Sequence, residues 1–160
     1  MDRRDFLKTS LAAGVALSLP AGLDPFLQNL GAAEAADLAV ASGKSPAAVT
    51  RAAIDALGGM KKFVSRGDIV VVKPNIGWDR TPEFAATTNP EVVAALVRLS
   101  LEAGAKRVKI LDYPVNDARR CYRQSGILDA ATAAGAEVVY PDSRKFRDMK
   151  IGGGTIKSWP

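Results

Sequence analysis

From residue 36 onward, hydrophobic and polar positions fall into blocks whose period switches between that of strands and that of helices. Residues 69–72, Ile-Val-Val-Val, form a continuous β-branched run, the pattern of a parallel strand covered on both faces. Residues 91–103 keep only Glu91, Arg98 and Glu102 as a narrow polar stripe at helical spacing, so most of that helix should be buried. Ser45-Pro46 and Asn89-Pro90 each set a capping side chain before a proline at the first helical position, which predicts helices over 46–57 and 91–103. Gly58-Gly59 stops the first of them. The apolar runs at 108–111 and 137–140 read as strands, and 38–41 as a short first strand. Asp117 is placed to cap a helix ending at Gln124, and 127–134 predicts a second short helix.

Ala103-Gly104-Ala105 and Ala134-Gly135-Ala136 repeat one device, a helix-end glycine followed by a strand, about one βαβ unit apart. The alternation predicts an α/β fold with a mostly parallel sheet and helices on both faces. The last residues, "KIGGGTIKSWP", give a glycine run and a fragment of strand, so the fold is expected to be incomplete at the C-terminus. Gly152, Gly153 and Gly154 match neither phosphate-binding glycine pattern before a helix and read as a turn.

Composition narrows the chemistry. The 160 residues are 48% hydrophobic and 24% charged, which suffices for one globular core. Histidine is absent, so no His-based triad, His metal ligand or imidazole switch can come from this chain. One cysteine, Cys121, excludes an intrachain disulfide and any iron–sulfur or zinc site built from several Cys of this chain. It reads as a small buried hydrophobe on a helix rather than a thiolate nucleophile or redox sensor. No metal site is expected, and the cofactor is left open.

The first 35 residues read as an export signal. Arg3, Arg4 and Lys8 make a basic start, residues 9–23 are uncharged and mostly apolar, and Ala33 and Ala35 offer the A-x-A spacing of a cleavage site, with cleavage expected after Ala35. The apolar run of 15 residues, broken by Pro20, is shorter than the about 20 needed to span a bilayer, so no stable membrane span is expected. "RRDFLK" resembles the twin-arginine signal through Arg3, Arg4, Phe6, Leu7 and Lys8, with Asp2 where a Ser or Thr is usual. That resemblance implies the twin-arginine translocase as a partner, folding before export and a periplasmic or otherwise exported location. Residues 36–160 are then the α/β domain.

In open α/β sheets ligands bind beyond the carboxyl ends of the strands. Two predicted strands end there in polar residues, "VVVKPN" with Lys73 and Asn75, and "KILDYP" with Asp112. Pro74 and Pro114 stiffen both exits. Lys73 and Asp112 are the catalytic candidates, either as a ligand-binding pair or as a structural contact between strand ends. The loop over 76–88 is long enough to be functional and carries Trp78, Asp79, Arg80, Thr87 and Thr88 into the helix start at Asn89. Free N–H groups and the helix dipole there would favour an anion, with simple capping by Asn89 as the alternative. Arg119, Arg120, Arg123, Arg144, Lys145 and Arg147 cluster late in the chain without interleaved aromatics, which argues against nucleic acid and for a solvated face or a docking surface.

The ordered run Lys73-Pro74-Asn75, Thr88-Asn89-Pro90-Glu91-Val92-Val93, Ala103-Gly104-Ala105 and Asp112 resembles the N-terminal half of the family named domain of unknown function 362. The resemblance spans about residues 37–140. It implies an α/β protein that belongs to a longer family domain, with relatives that are exported or joined to iron–sulfur modules. This chain lacks a cysteine cluster, so that cofactor does not carry over. Two readings follow. One is an exported enzyme or binding domain that holds an anionic small molecule with Lys73, Asn75, Asp79, Arg80, Thr87, Thr88 and Asn89. The other is a non-catalytic accessory protein that docks on a periplasmic redox or iron–sulfur partner.

Overall fold

The computed structural model describes residues 36–159. The export signal at Arg3, Arg4, Phe6, Leu7 and Lys8 and the cleavage site at Ala35 lie outside the described residues.

Among the described residues four helices and two small sheets follow one another: α1 (Pro46–Ala56), β1 (Ile69–Val72), α2 (Pro90–Ala103), β2 (Arg107–Ile110), α3 (Ala118–Gln124), α4 (Ile127–Ala133), β3 (Glu137–Val138), β4 (Met149–Lys150) and β5 (Ser158–Trp159). Strands β1, β2 and β3 form a parallel sheet in sequence order, with Val72 beside Ile110 and Ile110 beside Val138. The α/β architecture with a parallel sheet is therefore present. Strands β4 and β5 pair antiparallel across the loop that holds Gly152 to Gly154, which is a connection and not a phosphate loop.

The cap signals act as their chemistry requires. Ser45 Oγ accepts the Ala48 N–H, Asn89 Oδ1 the Glu91 N–H at 2.8 Å, and Asp117 Oδ1 the Arg120 N–H at 3.0 Å. Gly104 ends α2 at φ 111°, a left-handed turn that a side chain would strain. A Cβ there would also press on the Arg66 backbone. That turn guides the chain on both sides of it: Gly104 O accepts the Gly67 N–H at 2.8 Å, and Asp68 O accepts the Lys106 N–H at 2.7 Å.

Helix α2 is the centre of the core. Its Val93, Ala94 and Val97 meet Val108 and Ile110 of β2, Cys121 and Tyr122 of α3, Ile127 and Ala131 of α4, and Ile76. Helix α1 buries no residue completely and leans on α2, where Arg51 makes a two-pronged contact with Glu102.

Three expectations need correction. Residues 38–41 are not a strand: Leu38 and Val40 are exposed and pair with nothing in the sheet. The third strand is two residues long, not four. The sheet is covered on one face only among the described residues. Val108 and Ile110 are 1% and 0% exposed beneath the helices, whereas Ile69 and Val71 on the alternate positions of β1 are 52% and 58% exposed. In-order pairing of the three strands accounts for this, because right-handed crossovers between successive neighbours put their helices on the same side.

Candidate functional site

Neighbouring parallel strands end together, so the residues that follow β1 and β2 arrive at one rim. Lys73 Nζ lies 2.8 Å from Asp112 Oδ1 and also donates to Asn75 Oδ1 at 3.2 Å. The other carboxylate oxygen, Asp112 Oδ2, accepts the N–H of the fully buried Ile76 at 2.7 Å. The Asp112 side chain is only 8% exposed, whereas Lys73 is mostly in solvent.

A hydroxyl holds the backbone that carries this carboxylate. Tyr122, wholly buried, accepts the Asp112 backbone N–H at 2.7 Å, and its proton faces the carbonyls of Asp112 at 3.0 Å and Val139 at 3.3 Å. Burial pushes the Asp112 carboxyl up, but the Lys73 ammonium and the Ile76 and Tyr113 N–H groups outweigh it and hold the group below its ordinary value. Asp112 is therefore a fixed carboxylate, a poor proton donor at neutral pH. Burial likewise pushes the Tyr122 phenol up, so it stays neutral and can both donate and accept.

The rim opens into two cavities that share no lining residue. One, of about 690 Å³, lies over the uncovered end of the sheet and is lined by apolar atoms of Val71, Leu111, Tyr113, Tyr140 and Phe146. Lys73, Asp112, Asp142 and Lys145 bring its charges. Lys73 pairs with Asp112, and Asp142 with Arg144, while Lys145 has no ion-pair partner among the described residues. The cleft thus carries a surplus positive charge. Tyr113 and Phe146 stack at a tilt, with ring centroids 5.7 Å apart.

The second cavity, of about 590 Å³, is bounded by Trp78, Asp79, Arg80, Asn116, Asp117 and Arg120. Here Asp79 Oδ2 pairs with Arg120, and the Asp79 N–H is accepted by Asn116 Oδ1 at 3.2 Å. Gly77 O accepts the Val115 N–H at 3.0 Å and so joins the two loops behind it.

The residues singled out from the sequence therefore separate. Lys73, Asn75 and Asp112 meet. Asp79 and Arg80 line the other cavity. Thr88 is joined to Asn75 through two bonds, Asn75 N–H to Thr88 Oγ1 at 2.9 Å and Thr88 N–H to Asn75 O at 2.8 Å, which pins the loop rather than presenting hydroxyls. Thr87 Oγ1 is buried without a partner among the described residues. At the start of α2, Pro90 has no N–H, Glu91 gives its N–H to Asn89 Oδ1, and Val92 and Val93 give theirs to Asn89 O. These donors are engaged within the chain, so capping by Asn89 accounts for this helix end and an anion has no free N–H in its first turn.

Cys121 is fully buried, and burial together with the Asp79 and Asp117 carboxylates pushes its thiol up, as befits a core residue. The late basic residues Arg119, Arg120, Arg123, Arg144, Lys145 and Arg147 are all exposed, and three of them also engage an acidic or aromatic side chain of the chain. Arg120 holds Asp79, Arg144 holds Asp142, and Arg119 lies over the Tyr140 ring. Sequence reasoning missed Tyr113, Tyr122, Tyr140, Phe146, Asn116 and Asp117 as site residues, and took Lys145 only as part of a solvated face or docking surface. A signal existed for three of them: Tyr113 follows Asp112 at a strand exit, and Asn116-Asp117 opens a helix.

Comparison with known proteins matches two regions of the chain. Residues 1–20 match the model of the twin-arginine translocation pathway signal sequence, and residues 70–160 match the model of the domain of unknown function (DUF362). The thylakoid-associated protein sll1697 of Synechocystis sp. is 46% identical over 56 residues, which cover 35% of this chain and 17% of that relative. No solved structure matches the chain significantly. Among the described residues no helix is long and apolar enough to cross a membrane. The chain belongs to the DUF362 family and carries a twin-arginine export signal.

Proposed function

We propose that this DUF362 member is an exported small-molecule-binding domain, which takes an anionic ligand with an apolar body into the cleft at the carboxyl ends of its strands. The observation that carries this reading is the pairing of a surplus positive charge, from Lys145 beside the Lys73–Asp112 ion pair, with an apolar floor of Val71, Leu111, Tyr113 and Phe146 in a cavity of about 690 Å³. Cavities of this size suit ligands of drug-like dimensions. The role of Asp112 in this reading is to aim Lys73, since both carboxylate oxygens are already engaged. Asn75 holds the lysine from the other side. Binding, rather than proton transfer, is the chemistry this favours.

Export places such a domain among extracytoplasmic solutes, and cleavage after Ala35 would release it into the periplasm. Amino-terminal sequencing of the exported protein tests that step. A second reading, docking on a redox or iron–sulfur partner, draws on the exposed Phe146, Met149 and Ile151 beside Arg147. The two separate in one experiment. Thermal denaturation of the purified full chain with medium-chain and aromatic carboxylates should raise the midpoint, and acetate or phosphate should not. The shift should vanish in Lys73→Ala and shrink in Lys145→Ala. A midpoint that no carboxylate moves would leave the docking reading in its place.

A further inference from the structure

The cavity beside Trp78 differs from the cleft in its chemistry, and we propose that it is a site for a neutral sugar. Its charges cancel: Asp79 and Asp117 face Arg80 and Arg120, and the Asp79–Arg120 pair is closed on itself. A site of this kind has no surplus charge to select an anion or a cation. What it does offer is a close mixture of acceptors and donors. Hydroxyl groups serve as both, so a polyhydroxylated ligand is the class that can use the whole set.

Three details support the assignment. Trp78 is 49% exposed on a loop, which leaves an indole face in solvent where a large aromatic ring would otherwise be covered. A pyranose presents a flat face of C–H groups that fits such a ring. The Asp79 side chain is 13% exposed, yet its Oδ1 is buried with no hydrogen-bond partner among the described residues. A carboxylate oxygen in that state is destabilising, and a donor from a ligand would relieve it. Turning that oxygen towards the cavity about the broad terminal torsion trades the Asp79–Arg120 pair for the bond to the ligand. Finally, the walls are built in advance. Asn116 Oδ1 takes the Asp79 N–H and leaves its amide hydrogens for a ligand, while Arg80 is tied back to Asp79 O at 2.8 Å.

The site is accessible to a direct test because the chain has two tryptophans, Trp78 and Trp159. In the full chain carrying Trp159→Phe, Trp78 is the single indole reporter. Titration with glucose, galactose, N-acetylglucosamine and maltose should give a saturable change in its emission for at least one of them. Asp79→Asn and, independently, Asn116→Ala should each weaken that binding about tenfold or more, as expected when a hydrogen bond to a charged or buried partner is lost. Circular dichroism and the thermal midpoint report whether each variant is folded, and the exposed Asn116 keeps the test valid should Asp79→Asn not fold. Absence of any saturable response, a response only to sugar phosphates, or unchanged affinity in folded variants would overturn the assignment.

Discussion

Two acidic side chains sit at the strand rim, each beside one basic partner, and they differ in the fate of the second oxygen. Asp112 gives one oxygen to Lys73 and the other to the Ile76 N–H, so every acceptor is used. Asp79 gives one oxygen to Arg120 and leaves the other buried without a partner among the described residues. The first carboxylate belongs to the architecture, fixing how the chain leaves β1 and aiming a lysine. The second is held in place at a cost in stability, which is what a site awaiting a ligand looks like.

That contrast can be broken by mutation. Asp112→Ala should have the largest effect, about 2–3 kcal/mol of stability, because it orphans the buried Ile76 N–H as well as removing the ion pair. Urea unfolding measures it. Tyr122→Phe should follow at about 1–2 kcal/mol, since the Asp112 N–H then loses its acceptor inside the core. A loss as small as that of a surface substitution would show that the hydroxyl is not the support described here.

The next effect is a slope with pH. The folded Asp112 carboxyl lies below its ordinary value of 3.8, so its contribution is present above that value and fades as pH falls through the lower folded one. Asp112→Asn should flatten this acid limb of the stability curve, and an unchanged limb would contradict the assignment. Smallest of all should be Asp79→Asn, which should change stability by no more than about 0.5 kcal/mol, because the lost pair with the mostly exposed Arg120 is small and is offset by removing the charge behind an unpartnered buried oxygen. If Asp79→Asn cost as much as Asp112→Ala, the two corners would be equivalent and the comparison would fail.

The contrast was only half legible in the sequence. Lys73 and Asp112 could be brought together because each follows a β-branched strand, and parallel neighbours deliver their ends to one rim; the Val72–Ile110 pairing does so. Local signals of fixed geometry also carried through. Ser45, Asn89 and Asp117 are caps, and Gly104 and Gly135 take positive φ at helix ends. Long-range decisions were not readable. The run Ile-Val-Val-Val suits a strand covered on one face or on two, and only the in-order topology leaves Ile69 and Val71 bare. The Asp79 corner joins a loop after β1 to the cap of α3, a pairing that no spacing along the chain announces. Residues 38–41 had strand composition but no neighbouring strand to pair with.

The most direct test of the account is a calorimetric titration of the full chain with octanoate, run in parallel on Lys73→Ala and Asp79→Asn. The account predicts one saturable site, weakened about tenfold or more by Lys73→Ala and unchanged in Asp79→Asn. Equal affinity in all three proteins, or no heat of binding in any, would contradict it.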